Sequence, residues 1–227
     1  MSNDGKHAHA SEIKADALGR VKQIQSLLME WGESHYDDFP WRAADNHFHA
    51  LIAELMLQRT KAEQVLPVYN DFVELCPSLE AAKDVSESQI RAILHPLGLN
   101  WRIDNIVELV NVLTKKGHVP LEYDSLVKLE GVGPYVASAF LSFHASIRLS
   151  IIDSNVVRLW GRIFSLKTNT ETRRKKWFKQ LADEMMPHEN FKAFNYSLLD
   201  FTRAICKPKP DCTTCPIKKY CNYYVTL

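Results

Sequence analysis

Apolar residues recur at intervals of three and four along most of this chain. In HFHALIAELMLQ (47–58) the stripe is Phe48, Leu51, Ile52, Leu55 and Met56. Ile103, Ile106, Val107, Val110 and Leu113 repeat it, as do Ile13, Leu18, Val21, Ile24 and Leu28, which follow a candidate N-cap at Ser11. Ser86 and Gln89 have the spacing of a capping box ahead of IRAIL. Two-residue alternation is confined to SIRLSII (146–152), the one candidate strand. Breaks fall at DDFPW (37–41), HPLGLN (95–100), EGVGP (130–134) and a cysteine-rich loop near the C-terminus. The pattern predicts an all-α protein of about ten helices.

At 227 residues the chain can bury one large core or two small ones. It has no apolar run long enough to span a membrane. The first ten residues, MSNDGKHAHA, lack an apolar signal region, which argues against export and for a cytoplasmic protein. The net charge of +1 hides an asymmetry. Residues 1–100 carry nine Lys/Arg against fifteen Asp/Glu, and residues 101–227 carry nineteen against twelve. Part of the basic excess is RRKK (173–176), which suits either a solvated helix face or a polyphosphate partner. More of it lies among the cysteines, as Lys207, Lys209, Lys218 and Lys219.

Cys206, Cys212, Cys215 and Cys221 follow one another in CKPKPDCTTCPIKKYC. Pro208, Pro210 and Pro216 forbid a continuous helix there, so the segment is a loop wound around something. Thiolates this close repel one another unless a metal centre holds them. Zinc sites usually draw their ligands as two close pairs, whereas here only Cys212 and Cys215 are paired. That favours an iron–sulfur cluster over zinc, with disulfides the remaining alternative. Cys76 stands apart and reads as a small buried hydrophobe.

SLVKLEGVGPYVASAFLSF (125–143) reads as helix, tight turn, helix, with Gly131 and Gly133 flanking Val132 and Pro134 opening the second helix. Backbone N–H groups left uncovered by glycines at a helix N-terminus suit a phosphate oxygen; an ordinary helical connection is the plainer alternative. Two acids stand out. Asp153, in SIIDSNVVRLWGRI, either caps the following helix or offers a carboxylate to chemistry. Glu54 borders the apolar stripe of 47–58. Partial burial would raise its pKa and let it hold a proton near neutrality, whereas a surface position would leave it ordinary. Gln58, one helical turn on, is expected to point the same way.

Together these motifs resemble the iron–sulfur helix-hairpin-helix DNA glycosylases, a superfamily that includes endonuclease III and the adenine and thymine mismatch glycosylases. The likeness runs from FPWR (39–42) to Cys221 and includes AELMLQRT (53–60), L-x-G-V-G-x-Y (129–135), I-D-x-N-V-x-R (152–158) and the cysteine loop, in the family's order. These enzymes usually place six residues between the first two cysteines; this chain has five. The resemblance implies a two-domain all-α fold. Residues 38–146 would form a six-helix domain carrying the hairpin. Residues 1–37 and 147–227 would form a cluster domain, with a [4Fe-4S] cluster in the loop 206–221 held by the four cysteines. An active cleft would lie between the domains, and a nucleotide flipped from double-stranded DNA would enter it. Gln58, Arg59, Leu99, Gly131, Val132, Gly133, Lys207 and Lys209 would contact that DNA, and the protein would act as a monomer in the cytoplasm or nucleoid.

The same resemblance reads the reaction type from one position. Bifunctional lyases of the family carry their Schiff-base lysine where this chain has Tyr135, and a phenol cannot form an imine. Tyr135 and Asn155 both match the monofunctional members. Asp153 would stabilise the oxocarbenium-like sugar or activate water, and protonated Glu54 would assist the departing base. Leu99 follows L-G where adenine glycosylases usually carry a tyrosine, and no segment resembling their extra C-terminal domain follows the last cysteine. The expected substrate is therefore thymine or uracil opposite guanine. Adenine opposite guanine or oxidised guanine is the alternative, and a non-catalytic, cluster-stabilised DNA-binding module is the second.

Overall fold

The structure, a computed structural model, describes residues 20–226. Helix α1 covers 20–34. It is followed by α2 (His47–Met56), α3 (Ala62–Leu75), α4 (Glu87–Leu94), α5 (Asn100–Lys116), α6 (Tyr123–Leu126) and α7 (Pro134–His144). Then come α8 (Ser154–Ile163), α9 (Lys176–Met185), α10 (Phe191–Ala204) and α11 (Asn222–Val225), with short 3-10 turns between several of them. The described residues contain no strand, and SIRLSII, the candidate strand, is irregular. With no neighbouring strand to pair with, its alternation leaves it a connection. Ser11, Ile13 and Leu18 lie outside the described residues. No helix among the described residues is long and apolar enough to cross a membrane.

The chain divides into two compact units. One is Asp38–Leu149; the other joins the chain up to Asp37 to the segment from Ser150 onward. The Asp38–Leu149 unit is organised around α2, which is buried along nearly its whole length and packs on α3, α5 and α7. A helix apolar on every side is stable only when neighbours cover it. The boundaries follow local chemistry. Asn46 caps α2 by accepting from the Phe48 N–H, and Ser86 and Gln89 form a complete capping box at α4. Pro134 opens α7 immediately after Gly133. Cys76 is fully buried here, and burial pushes its thiol up to about 11.

In the other unit, Val21, Ile24 and Leu28 of α1 share a core with Val156, Leu159 and Trp160 of α8, Phe178 of α9, and Phe194, Leu198 and Phe201 of α10. Arg203 ties α10 to the end of the N-terminal segment through Asp37, and also contacts Asp200. This unit carries the cysteine loop.

Candidate functional site

Glu54 sits on α2 inside the Asp38–Leu149 unit, with only 6% of its surface exposed. The apolar surroundings that bury α2 also strip water from this carboxyl. Burial pushes it from its ordinary 4.5 up to about 8, against a smaller downward pull from Arg42. Its Oε1 lies 4.0 Å from Nε2 of His144, at the end of α7. A carboxylic acid so placed holds its proton at neutral pH and can give it away, which is the property a general acid needs.

Gln58 lies beyond the end of α2. The helix stops at Met56, so Gln58 falls in the following turn, where its amide donates to the Gly131 carbonyl at 3.0 Å. That bond links the end of α2 to the hairpin. Gly131 has φ +76, and a Cβ there would lie 2.8 Å from Cβ of Asn105; glycine is required on both counts. Gly133 has an ordinary extended backbone (φ −81), so of the two glycines only Gly131 has a positive φ. Val132 is turned into the core at 3% exposure, and its N–H is spent on the Leu129 carbonyl. Its side chain packs into the core of this unit. The first helix of the hairpin is a single turn, Tyr123–Leu126. Tyr135 is half-buried in the first turn of α7, while Arg59 and Leu99 are exposed.

Asp153 is the N-cap of α8. Its Oδ1 accepts from the N–H groups of Asn155 (2.8 Å) and Val156 (2.7 Å). Capping does not exhaust the carboxylate: Oδ2 accepts from the Asn155 side-chain amide at 2.6 Å. Asn155 is oriented in turn by Arg158, whose Nη1 donates to the Asn155 Oδ1 at 2.8 Å. Arg158 Nε donates to the Cys206 carbonyl, and its Nη2 to that of Thr202. A chain of hydrogen bonds therefore runs from the carboxylate to the start of the cysteine loop. Arg158 went unnoticed among the sequence motifs, although its place in I-D-x-N-V-x-R was the available signal.

Cys206 is buried, and Cys212, Cys215 and Cys221 are half-buried. All four line one pocket whose walls include Leu159, Ile163, Phe201, Ile205 and Ile217. Arg162 Nη1 lies 3.4 Å from the Cys206 sulfur, and its two terminal nitrogens donate to the carbonyls of Lys207 and Pro208. Burial pushes the Cys215 thiol up to about 11 and the Cys221 thiol upward as well, and neighbouring cysteines add to both shifts. Among the described residues, no group of three or more His, Cys, Asp or Glu is arranged to hold a metal ion. The four cysteines are soft sulfur donors on the walls of one pocket. Lys207 and Lys209 are exposed at the head of the loop.

Residues 52–184 match the family of HhH-GPD superfamily base excision DNA repair proteins, and the chain belongs to that family. It is 32% identical to the thymine-DNA glycosylase of Aeropyrum pernix, over 91% of this chain and 96% of the relative. It is 34% identical to the thymine/uracil-DNA glycosylase of Pyrobaculum aerophilum, over 94% and 96%. Among solved structures, a thermostable thymine-DNA glycosylase is similar with a TM-score of 0.85 at 29% identity, covering 93% of this chain and 99% of that one.

Proposed function

We propose that this protein is a monofunctional DNA glycosylase of base excision repair, acting on thymine or uracil opposite guanine in duplex DNA. The observation that carries this reading is Glu54, a carboxylic acid whose surroundings keep it protonated up to about pH 8. The N-glycosidic bond breaks with its electron pair leaving on the base. Glu54 supplies a proton to that base. The sugar becomes oxocarbenium-like, and Asp153 stabilises its positive charge. Water adds at the anomeric carbon, its proton passes to Asp153 or solvent, and an abasic site remains. Asn155 fixes one carboxylate oxygen and the α8 N–H groups fix the other, so Asp153 has little to reorganise as charge develops. Tyr135 has no amine with which to open the sugar ring, so the reaction ends at the abasic site.

The reading places a [4Fe-4S] cluster on Cys206, Cys212, Cys215 and Cys221. The support is that the four sulfurs line one pocket. The cluster would fix the loop, and Lys207 and Lys209 with it, against the phosphate backbone. Leu99, on the exposed turn before α5, supports thymine or uracil over adenine.

The test is a single-turnover panel of labelled duplexes in which each base is mismatched against each partner, with uracil included. Release of thymine or uracil opposite guanine, leaving an abasic site cut only by alkali, is the expected result. Release of adenine instead would move the assignment to the adenine enzymes. Binding without release from any duplex would make the chain a DNA-binding module.

A further inference from the structure

Two non-glycine residues on the exposed edge of the Asp38–Leu149 unit have left-handed backbones, Arg59 (φ 58) and Leu99 (φ 61). Each such residue costs about 1–2 kcal/mol, so surrounding structure must hold it in place. The holder is Arg102, on the first turn of α5 and 1% exposed. Its Nη1 donates to the carbonyls of Met56 (2.8 Å) and Gln58 (2.5 Å) and to the Thr60 hydroxyl (2.7 Å). Its Nη2 donates to the carbonyls of Leu97 (2.7 Å) and Gly98 (3.4 Å). One guanidinium thus caps the C-terminal carbonyls of α2 and the last carbonyls of the His95–Leu97 turn together. Those carbonyls carry the negative end of the α2 dipole and offset the buried charge. Outside the clamp, the Arg59 guanidinium lies 6.0 Å from the ring of exposed Trp101, so the 57–60 turn also meets the first turn of α5 across the surface.

We propose that Arg102 is a positioning residue that locks residues 57–60 and 97–99 into one rigid edge, which enters the duplex beside the base to be removed. The proposal rests on the glycosylase reading for its use, but not for the clamp itself. Gln58 and Leu99, both expected to contact DNA, lie on different turns, and they can act together only if their separation survives entry against base stacking. A planar fork with several donors can hold carbonyls on both turns; a lysine ammonium has three donors on one atom and cannot span them equally.

The test compares the full-length protein with Arg102→Lys and Arg102→Met in two measurements. Hydrogen–deuterium exchange should rise by about tenfold or more in both 57–60 and 97–101, with other core amides little changed, and less in the lysine variant than in the methionine one. Excision from a guanine-mismatched duplex should fall by about tenfold or more. Excision of uracil from an unpaired bubble, where no stack has to be opened, should stay within about threefold. If Arg102→Met unfolds, Arg102→Lys carries both measurements. Unchanged exchange in either turn would overturn the clamp. Equal losses on duplex and bubble would overturn its role in opening DNA. If the unsubstituted protein releases no base from any duplex, the glycosylase reading fails, and the exchange measurement still decides the clamp.

Discussion

Glu54→Gln should make the protein more stable and less active, and the stability gain should grow with pH. The carboxyl titrates at about 8 in the fold and near 4.5 when exposed. Between those values the native state keeps a proton that the unfolded chain has released. Stability linked to Glu54 is therefore complete below about pH 4.5 and is lost as pH rises toward 8. The loss is roughly 1 kcal/mol at pH 5 and roughly 4 kcal/mol at pH 7.5, taking 1.36 kcal/mol per pKa unit. Glutamine nearly matches the shape and has no proton to lose. The difference in unfolding free energy between variant and parent should widen by about 3 kcal/mol over that range. Urea melts at several pH values measure it, and a carbon-13 titration of labelled glutamate carboxyls locates the midpoint directly. Arg42 pulls that midpoint down against the larger effect of burial. Stability curves that stay parallel within about 0.5 kcal/mol, or no glutamate midpoint above about pH 6, would refute the reasoning. Base release should decline above about pH 8 in the parent as the acid ionises, and the Gln variant should lack that limb.

Asp153→Asn keeps a capping oxygen but sets an NH2 against that of Asn155, so it should lose about 1 kcal/mol of stability with that bond while single-turnover base release falls ~100-fold or more; Asp153→Ala should lose about 1 kcal/mol further with the cap. Tyr135→Lys should introduce borohydride-trappable protein–DNA adducts, whereas efficient trapping by the unsubstituted protein would end the monofunctional assignment. Gly131→Ala should cost more than about 1 kcal/mol in a denaturant melt, because the left-handed backbone and the approach of Asn105 both oppose a Cβ. Cys212→Ser should lose bound iron and its visible absorbance, and full iron content in that variant would remove Cys212 from the ligand set.

The helical content was legible from apolar spacing, since burying a stripe is what makes these helices stable. The α4 capping box and the proline start of α7 were equally legible, because they involve neighbours in sequence. Glu54 and Asp153 could be picked out as candidates, but their states could not. Whether Asp153 was a cap or a free carboxylate depended on Asn155 and Arg158, and it proved to be a cap whose second oxygen is held by a side chain. The depth to which Glu54 is buried depended on α3, α5 and α7 closing around α2. Arg102 shows the limit most plainly. In the sequence it is one more arginine on an amphipathic helix, and no local rule distinguishes it. Only tertiary structure brings carbonyls from positions 56, 58, 97 and 98 to one guanidinium. Helix periodicity and caps arise from contacts a few residues apart, whereas desolvation and the convergence of backbone dipoles arise from contacts between distant segments.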